Sequence, residues 1–244
     1  MMLPWWFFLI LLLLSVAYSM VGHGGASGYI ALMVLTGLDQ SFIRPAALIL
    51  NVIVATIAFM SFGKAGKFKP WMFLAFAAGS VPAAFIGGNI ELSNEYFRLI
   101  LGVLLLFAAV HQFGVLDKVR YDISLSYNTT TAILLGGVIG LISGLIGVGG
   151  GILLSPVLLF LKWTDQRETA AISAPFIVIN SLAGFAGLMR KDIEITPDIG
   201  LLVPVVIVGA LTGSFVGSRK LPDTSLARVL SLVLCIAACK LIFQ

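Results

Sequence analysis

The chain has 244 residues, of which 59% are apolar and 11% charged, with a formal net charge of +4. A soluble domain carries charge on roughly a quarter of its residues, and 15 basic and 11 acidic side chains are too few to cover a soluble protein of this size. The composition therefore excludes a soluble enzyme, a nucleic-acid-binding protein and a disordered chain. It indicates an all-α, polytopic membrane protein with almost no domain outside the bilayer.

Apolar runs, each bounded by charged residues, Gly or Pro, follow one another along the chain. They cover residues 5–21, 29–38, 42–62, 71–88, 96–114, 129–147, 152–161, 170–189, 199–218 and 225–243. No Lys or Arg precedes the first run, so we predict a retained helix there and not a signal peptide. The runs 29–38 and 152–161 are too short to span, because about ten residues give roughly 15 Å of helix.

A glycine cluster precedes each short run. The first cluster extends from Gly22 to Gly28 and the second from Gly147 to Gly151. Such breaks leave backbone amides unpaired, and inside a bilayer they persist only within protein or beside a watery cavity. The half-helices that follow would begin at about Gly28 and Gly151, with their positive dipole ends in the protein centre. Because a helix N-terminus flanked by glycines favours anions, we predict an anion site at the two breaks.

The two halves of the chain match each other in polar as well as apolar positions. Asp39-Gln40 aligns with Asp165-Gln166, Asn51 with Asn180, and Arg98 with Arg228. Shared apolarity alone does not produce such matches, so we predict two homologous repeats, residues 1–120 and 128–244.

The distribution of basic residues favours an inverted second repeat. If each short run is a re-entrant half-helix, each repeat crosses the bilayer three times, and ten of the 15 basic residues lie on one side: Lys64, Lys67, Lys69, Lys118, Arg120, Lys162, Arg167, Arg219, Lys220 and Arg228. A parallel arrangement divides the 15 basic residues eight to seven. Since cytoplasmic loops carry the excess of Lys and Arg, the inverted arrangement with both termini outside the cytoplasm is preferred.

Few polar side chains occur within the apolar runs. All acidic residues fall in loops or at segment edges, and Lys and Arg are also expected to be peripheral, so neither a carboxylate proton relay nor a cation or metal site is predicted. No cofactor is expected. The residues predicted to bind substrate share a position at the two breaks or in the helices beside them: His23, Gly24, Gly25, Ser27, Asn51, Gly149, Gly150, Gly151, Ser155 and Asn180.

Some of these side chains have a second interpretation. Asn51 and Asn180 would either donate to an anion or form interhelical hydrogen bonds. His23 would either carry a proton or positive charge to the substrate, or be a hydrogen-bonded structural histidine. Cys235 and Cys239, one turn apart, are interpreted as small packing residues, with a redox or sulfur-ligand role as the alternative.

The run from Gly140 to Gly151, Gly-Leu-Ile-Ser-Gly-Leu-Ile-Gly-Val-Gly-Gly-Gly, is followed by Ser155-Pro156. This segment resembles the signature of the TauE/SafE family, the sulfite exporter-like integral membrane proteins, and the duplication and length are similar as well. The first half departs from the pattern, with His23-Gly-Gly-Ala-Ser27 where a third glycine is expected. The resemblance implies export of sulfite, sulfoacetate or related sulfur-containing or organic anions.

The expectation from the sequence is therefore a multi-pass transporter of the inner membrane that exports a small anion by alternating access. Its partners would be a sulfur-containing anion and the lipid bilayer, with a homodimer left open and no nucleic acid. Two alternatives remain. One is an anion channel, and the other is a rhomboid-like intramembrane protease that uses Ser27 in Gly25-Ala26-Ser27-Gly28 and His111.

Overall fold

The computed structural model describes residues 3–20, 22–62, 68–112, 126–190, 195–217, 234–236 and 238–242. Regular structure within these residues is entirely α-helical, as predicted. The helices are α1 (Trp5–Met20), α2 (Ala26–Leu35), α3 (Gln40–Phe62), α4 (Pro70–Asn89), α5 (Asn94–Gln112), α6 (Thr129–Ile146), α7 (Gly151–Phe160), α8 (Gln166–Leu188) and α9 (Ile199–Gly217). Of the last predicted run, residues 234–236 and 238–242 are described and are helical.

Five of these helices are long and apolar enough to cross a bilayer: α3, α4, α6, α8 and α9. Their outward surfaces carry large apolar side chains such as Leu74, Leu134 and Leu201, which are more than half exposed. In water such a surface would aggregate, whereas in lipid it is the expected outer surface. The chain is therefore a multi-pass membrane protein. The short runs form ten-residue helices, α2 and α7, which do not reach across the hydrocarbon core.

Glycine allows several helix pairs to pack with their backbones in contact, among them α4 with α6 and α1 with α9. On α6, a Cβ at Gly136, Gly140 or Gly144 would strike the carbonyl oxygen of Phe76, Ser80 or Ala84 on α4. Both sets of residues advance in steps of four, so α4 and α6 run in the same direction. Spacing of this kind is typical of close helix pairs in membranes.

The pair formed by α1 and α9 has the same construction. A Cβ at Gly213 would strike the carbonyl of Val16, and one at Gly217 would strike that of Met20. These two helices therefore also run in the same direction, and their C-terminal ends lie side by side.

Contacts at the helix ends define two faces of the bundle. At one face, here called the basic face, lie the end of α3 and the starts of α4, α6 and α8. Lys69 pairs there with Glu168 at 2.9 Å, and the rings of Trp71 and Tyr127 lie 4.4 Å apart. Gly22, which follows α1, abuts Ala170 in the second turn of α8, further into the bundle from this face.

At the opposite face lie the ends of α2, α4 and α8 and the starts of α3 and α5. Lys240 donates there to the carbonyls of Val34 and Leu35, and the guanidinium of Arg190 lies over the ring of Phe85. From these contacts, α3 runs from the opposite face to the basic face, while α4 and α8 run the other way.

Arg44 lies near the start of a long helix, in agreement with the peripheral position expected of Lys and Arg, but it is buried there, which the sequence did not indicate. This residue is in the second turn of α3 and is 4% exposed. The sequence suggests a peripheral position because Arg44 is only a few residues from the start of an apolar run. Packing of α4 and α6 over that end of α3 buries it.

Candidate functional site

The connections between α1 and α2 and between α6 and α7 have closely similar backbone geometry. After α1, Gly22 has a φ of 75°, and the amide of His23 donates to the carbonyl of Tyr18. After α6, Gly147 has a φ of 88°, and the amide of Val148 donates to the carbonyl of Ser143. Both helices thus end in a Schellman-type turn, which needs a left-handed residue and explains why glycine is required at these two points.

Each half-helix also begins at a left-handed glycine. The N-cap of α2 is Gly25 and that of α7 is Gly150, and neither cap offers a side chain to the first amides of the helix. Among the described residues, the amides of Ser27, Gly28, Gly151 and Ile152 have no acceptor. Donors and a positive dipole end are therefore available at both helix starts.

Asn51 joins the two breaks. It lies at the midpoint of α3 and is completely buried. Its Oδ1 accepts from the amide of Ala26, the first residue of α2, at 3.1 Å, and its Nδ2 donates to the carbonyl of Val148, just before α7, at 2.9 Å. One side chain thus connects the half-helix of the first half to the break of the second, near the middle of the bundle.

His23 also bonds across the two halves of the chain. Its Nε2 lies 2.9 Å from Oγ of Ser155 on α7, which in turn lies 2.9 Å from Oγ of Ser173 on α8. Ser155 and Ser173 are buried, and His23 is half-buried. Because either serine can act as donor, this row of hydrogen bonds accommodates both the neutral and the protonated imidazole of His23.

A small cavity of about 10 Å³ lies between the breaks. Its walls are formed by both breaks, the middles of α3 and α8 and the end of α1: Tyr18, His23, Gly24, Gly25, Ala26, Ser27, Asn51, Val148, Gly151, Ile152 and Ile177. This space holds about one water molecule, and a sulfite ion with its four heavy atoms does not fit.

The structure brings most of the predicted site residues to this cavity. His23, Gly24, Gly25, Ser27, Asn51 and Gly151 line it, and Ser155 bonds to His23 just behind the wall. Gly149 lies against it, because a Cβ at that position would be 2.6 Å from Nδ2 of Asn51.

Two predicted residues face elsewhere. A Cβ at Gly150 would point toward Phe176 and Ile139. Asn180 is buried and donates to the carbonyl of Phe176 on its own helix, while its Oδ1 has no partner among the described residues. Asn51 and Asn180 are therefore not equivalent in their contacts, although the sequence aligns them.

Sequence reasoning did not identify three residues that shape the cavity. Tyr18 lines it and accepts a hydrogen bond from Ser27 at 2.9 Å, Val148 accepts from Asn51, and Ile177 would be struck by a Cβ at Gly24 or Gly151. A Tyr and two aliphatic residues within apolar runs do not differ in pattern from ordinary packing residues. The one available signal was the position of Tyr18, one turn before the first break.

The residues of the protease alternative are only partly described. Ser27 is 3% exposed and its hydroxyl is bonded to Tyr18, whereas the side chain of His111 lies outside the described residues. The two cysteines are free, Cys235 half-buried and Cys239 exposed. In the described part of the chain, no group of three or more His, Cys, Asp or Glu residues is placed to hold a metal ion.

Comparison with known proteins identifies relatives along the whole chain. Residues 7–241 match the model of the family described as "Sulfite exporter TauE/SafE". The probable membrane transporter protein y4hK of Sinorhizobium fredii (strain NBRC 101917 / NGR234) is 33% identical over 233 residues, covering 94% of each chain. The probable membrane transporter protein YunE of Bacillus subtilis (strain 168) is 26% identical, covering 93% of this chain and 92% of that protein. No solved structure matches significantly.

Proposed function

The chain belongs to the TauE/SafE family of membrane transporters, and on that premise we propose that it exports a small anion, sulfite or a small organosulfonate, across the inner membrane. The substrate would occupy the space between the two breaks. The amides that begin α2 and α7 would bind it, with Ser27 and Asn51 as side-chain donors.

The observation that carries this proposal is the meeting of two half-helix starts at one cavity beside a fully buried Asn51, each start having amides without an acceptor among the described residues. Amide dipoles bind a negative charge without bringing a counter-charge into the bilayer, so they suit an anion. None of the cavity-lining residues is acidic, which disfavours a cation.

We propose that the carrier works by alternating access between two inverted repeats, residues 1–120 and 128–244. The helix directions support this arrangement, because α3 and α8 run oppositely and the contact of α4 with α6 recurs between α9 and α1. In the inverted arrangement, the hairpin of α1 and α2 enters from one side of the bilayer and that of α6 and α7 from the other. Rocking of the repeats would then expose the centre to each side in turn.

The small cavity volume fits a closed conformation of such a carrier. Substrate entry would require the breaks to separate, and the hydrogen bonds of Asn51 and His23 would then exchange partners. A ligand stabilises the conformation it binds only to the extent of its differential affinity, so sulfite is expected to favour a state with a wider cavity.

The test is flux in proteoliposomes, with sulfite, sulfate, thiosulfate and a sulfonate as the anions. Gly24→Ala and Gly151→Ala are the informative variants, because the added methyl group strikes Asn51 and Ile177 respectively. We expect sulfite flux to fall about tenfold or more, corresponding to roughly 1.4 kcal/mol or more of lost stabilisation. Gly200→Ala is the matched control, since no atom lies within 4 Å of its Cβ position.

Two results would overturn the proposal. One is wild-type flux that does not exceed that of empty liposomes for any of these anions. The other is equal flux for Gly24→Ala, Gly151→Ala and Gly200→Ala, which would remove the site from the centre. Unitary currents in planar bilayers would show that the protein is a channel and not a carrier.

A further inference from the structure

Arg44 is the only charged side chain among the described residues that is buried. Its guanidinium lies among backbone carbonyls from two other helices. NH1 donates to Ile90 at 3.4 Å, and NH2 donates to Gly88 at 3.2 Å and to Gly144 at 3.1 Å, while Nε has no partner among the described residues. Burying a cation carries a desolvation cost, which hydrogen bonds and nearby opposite charge must offset.

Part of this arrangement is ordinary helix capping. Gly88 and Ile90 are at the C-terminal end of α4, where a cation is stabilised by the dipole and by the last carbonyls. Glu91, just beyond α4, interacts with Arg44 electrostatically. The bond to Gly144 is of the same kind, because Gly144 is in the last turn of α6 beside the second break, so one guanidinium caps the C-terminal ends of two helices.

The position of Arg44 on α3 relates it to the central cavity. Arg44 precedes Asn51 by two helical turns, so both side chains project from the same face of α3, about 10 Å apart along the axis. Asn51 bonds to Val148 and Arg44 bonds to Gly144. Two residues of one helix face thus fix the end of α6 and the break that follows it.

The backbone packs closely at the same point. A Cβ at Gly147 would lie 3.2 Å from the carbonyl oxygen of Arg44. Arg44 therefore lies between the cavity and the opposite face along α3, and the helices cannot separate there while the bonds to Gly88 and Gly144 remain.

We propose that Arg44 is a gating and anion-selecting residue on the route between the central cavity and the face opposite the basic face. This rests on the proposed transport function and deepens it. With the route closed, the guanidinium bonds α4 and α6 to α3. When the route opens, the guanidinium releases the carbonyl acceptors and donates its hydrogen bonds to the passing oxyanion instead. The oxygen atoms of such an anion match the planar fork of N–H donors.

Accessibility of the cavity from each side tests the gate. Ile177→Cys, which lines the cavity, is introduced into a Cys235→Ser, Cys239→Ser chain and labelled with a membrane-impermeant maleimide in oriented vesicles. With Arg44→Gln, we expect labelling from the opposite face to rise about tenfold, because charge-assisted bonds are lost. Labelling from the basic face should stay the same. General loosening of the fold would raise both rates.

Selectivity is measured in parallel as the ratio of sulfite flux to alkali-cation leak. Arg44→Gln should lower this ratio about tenfold. Arg44→Lys, which retains a point charge without the fork, should have a ratio close to that of the wild-type protein. Arg190→Gln is the matched control, since it removes an exposed cation at the same face. It should change neither readout.

The proposal is overturned if Arg44→Gln leaves both the side-specific labelling and the ratio unchanged, or raises labelling equally from both faces. The proposed transport function fails separately, by absence of wild-type flux, and the labelling result does not depend on flux.

Discussion

Asn51 and Asn180 show how matched residues acquire different roles through their contacts. Asn51 bonds to the backbone of both breaks, whereas Asn180 bonds to Phe176 on its own helix. Both are completely buried, so burial does not distinguish them. What distinguishes them is whether the loss of the side chain leaves other polar groups unpaired, because an orphaned buried donor or acceptor carries a desolvation cost.

We therefore expect Asn51→Ala and Asn180→Ala to differ in stability and in flux. Asn51→Ala leaves the amide of Ala26 and the carbonyl of Val148 without their partner, at a cost of about 1–3 kcal/mol each. Asn180→Ala also removes an amide oxygen that is unpaired among the described residues, so its cost should be well below that of Asn51→Ala. Thermal unfolding in detergent and sulfite flux in proteoliposomes measure the two effects. Equal losses for the two variants would contradict the assignment of Asn51 as the bridge.

At the residue scale, positions that depend on backbone geometry could be predicted from the sequence. The glycines of both clusters were expected at breaks, and Gly22, Gly25, Gly147, Gly149 and Gly150 have positive φ values. Asn51 was expected either to donate to an anion or to form interhelical hydrogen bonds. In this conformation it forms hydrogen bonds to Ala26 and Val148. The burial of Arg44 was not predicted and Ile177 was not singled out, because burial depends on which helices pack over these residues.

At the scale of the helices, glycine spacing determines how closely two of them approach. The carbonyl oxygens of α4 lie where the β-carbons of Gly136, Gly140 and Gly144 would be, while Gly137 on the same helix has only the carbonyl of Gly79, at 3.8 Å, within reach. The four-residue spacing on α6 is visible in the sequence and is typical of a packing face. It did not identify α4 as the partner, since apolar surfaces of similar shape occur on several helices.

These contacts predict opposite effects for neighbouring glycines. Gly140→Ala should destabilise the protein by about 1–3 kcal/mol, because its methyl group strikes the backbone of Ser80 and overpacks the contact. Gly137→Ala should be neutral or stabilising by up to about 1 kcal/mol, since alanine has the higher helix propensity and the space is open. Thermal unfolding of the two variants side by side checks this. Similar shifts for both would mean that α4 and α6 are not in backbone contact at Gly140.

The whole molecule is organised by its two faces. Trp71 and Tyr127 pack together at the basic face, and Tyr96 lies 63% exposed near the opposite one, which fits aromatic residues at both interfaces of a bilayer. The number and order of the helices were predictable, because each apolar run is bounded by charge, Gly or Pro. How the runs pair was not, since it depends on contacts between residues far apart in the sequence.

The inverted arrangement itself is tested with the matched pair Ser41 and Arg167. Each directly follows an Asp-Gln pair, each is in the first turn of its helix, α3 or α8, and each side chain is exposed. In inverted repeats these positions lie on opposite sides of the membrane, and in parallel repeats they lie on the same side. The positive-inside rule predicts that the basic face, with Arg167, is on the cytoplasmic side.

In a Cys235→Ser, Cys239→Ser chain, we expect Ser41→Cys to react with an impermeant maleimide added to intact cells. Arg167→Cys should react only after permeabilisation. Labelling of both cysteines in intact cells, or of neither, would contradict inverted repeats, and labelling of Arg167→Cys alone would keep the inversion but reverse its orientation. A single symmetric peak in size-exclusion chromatography in detergent is the control for folding of each variant. Since the route past Arg44 ends on the side of Ser41, the same labelling also determines whether that route leads out of the cell.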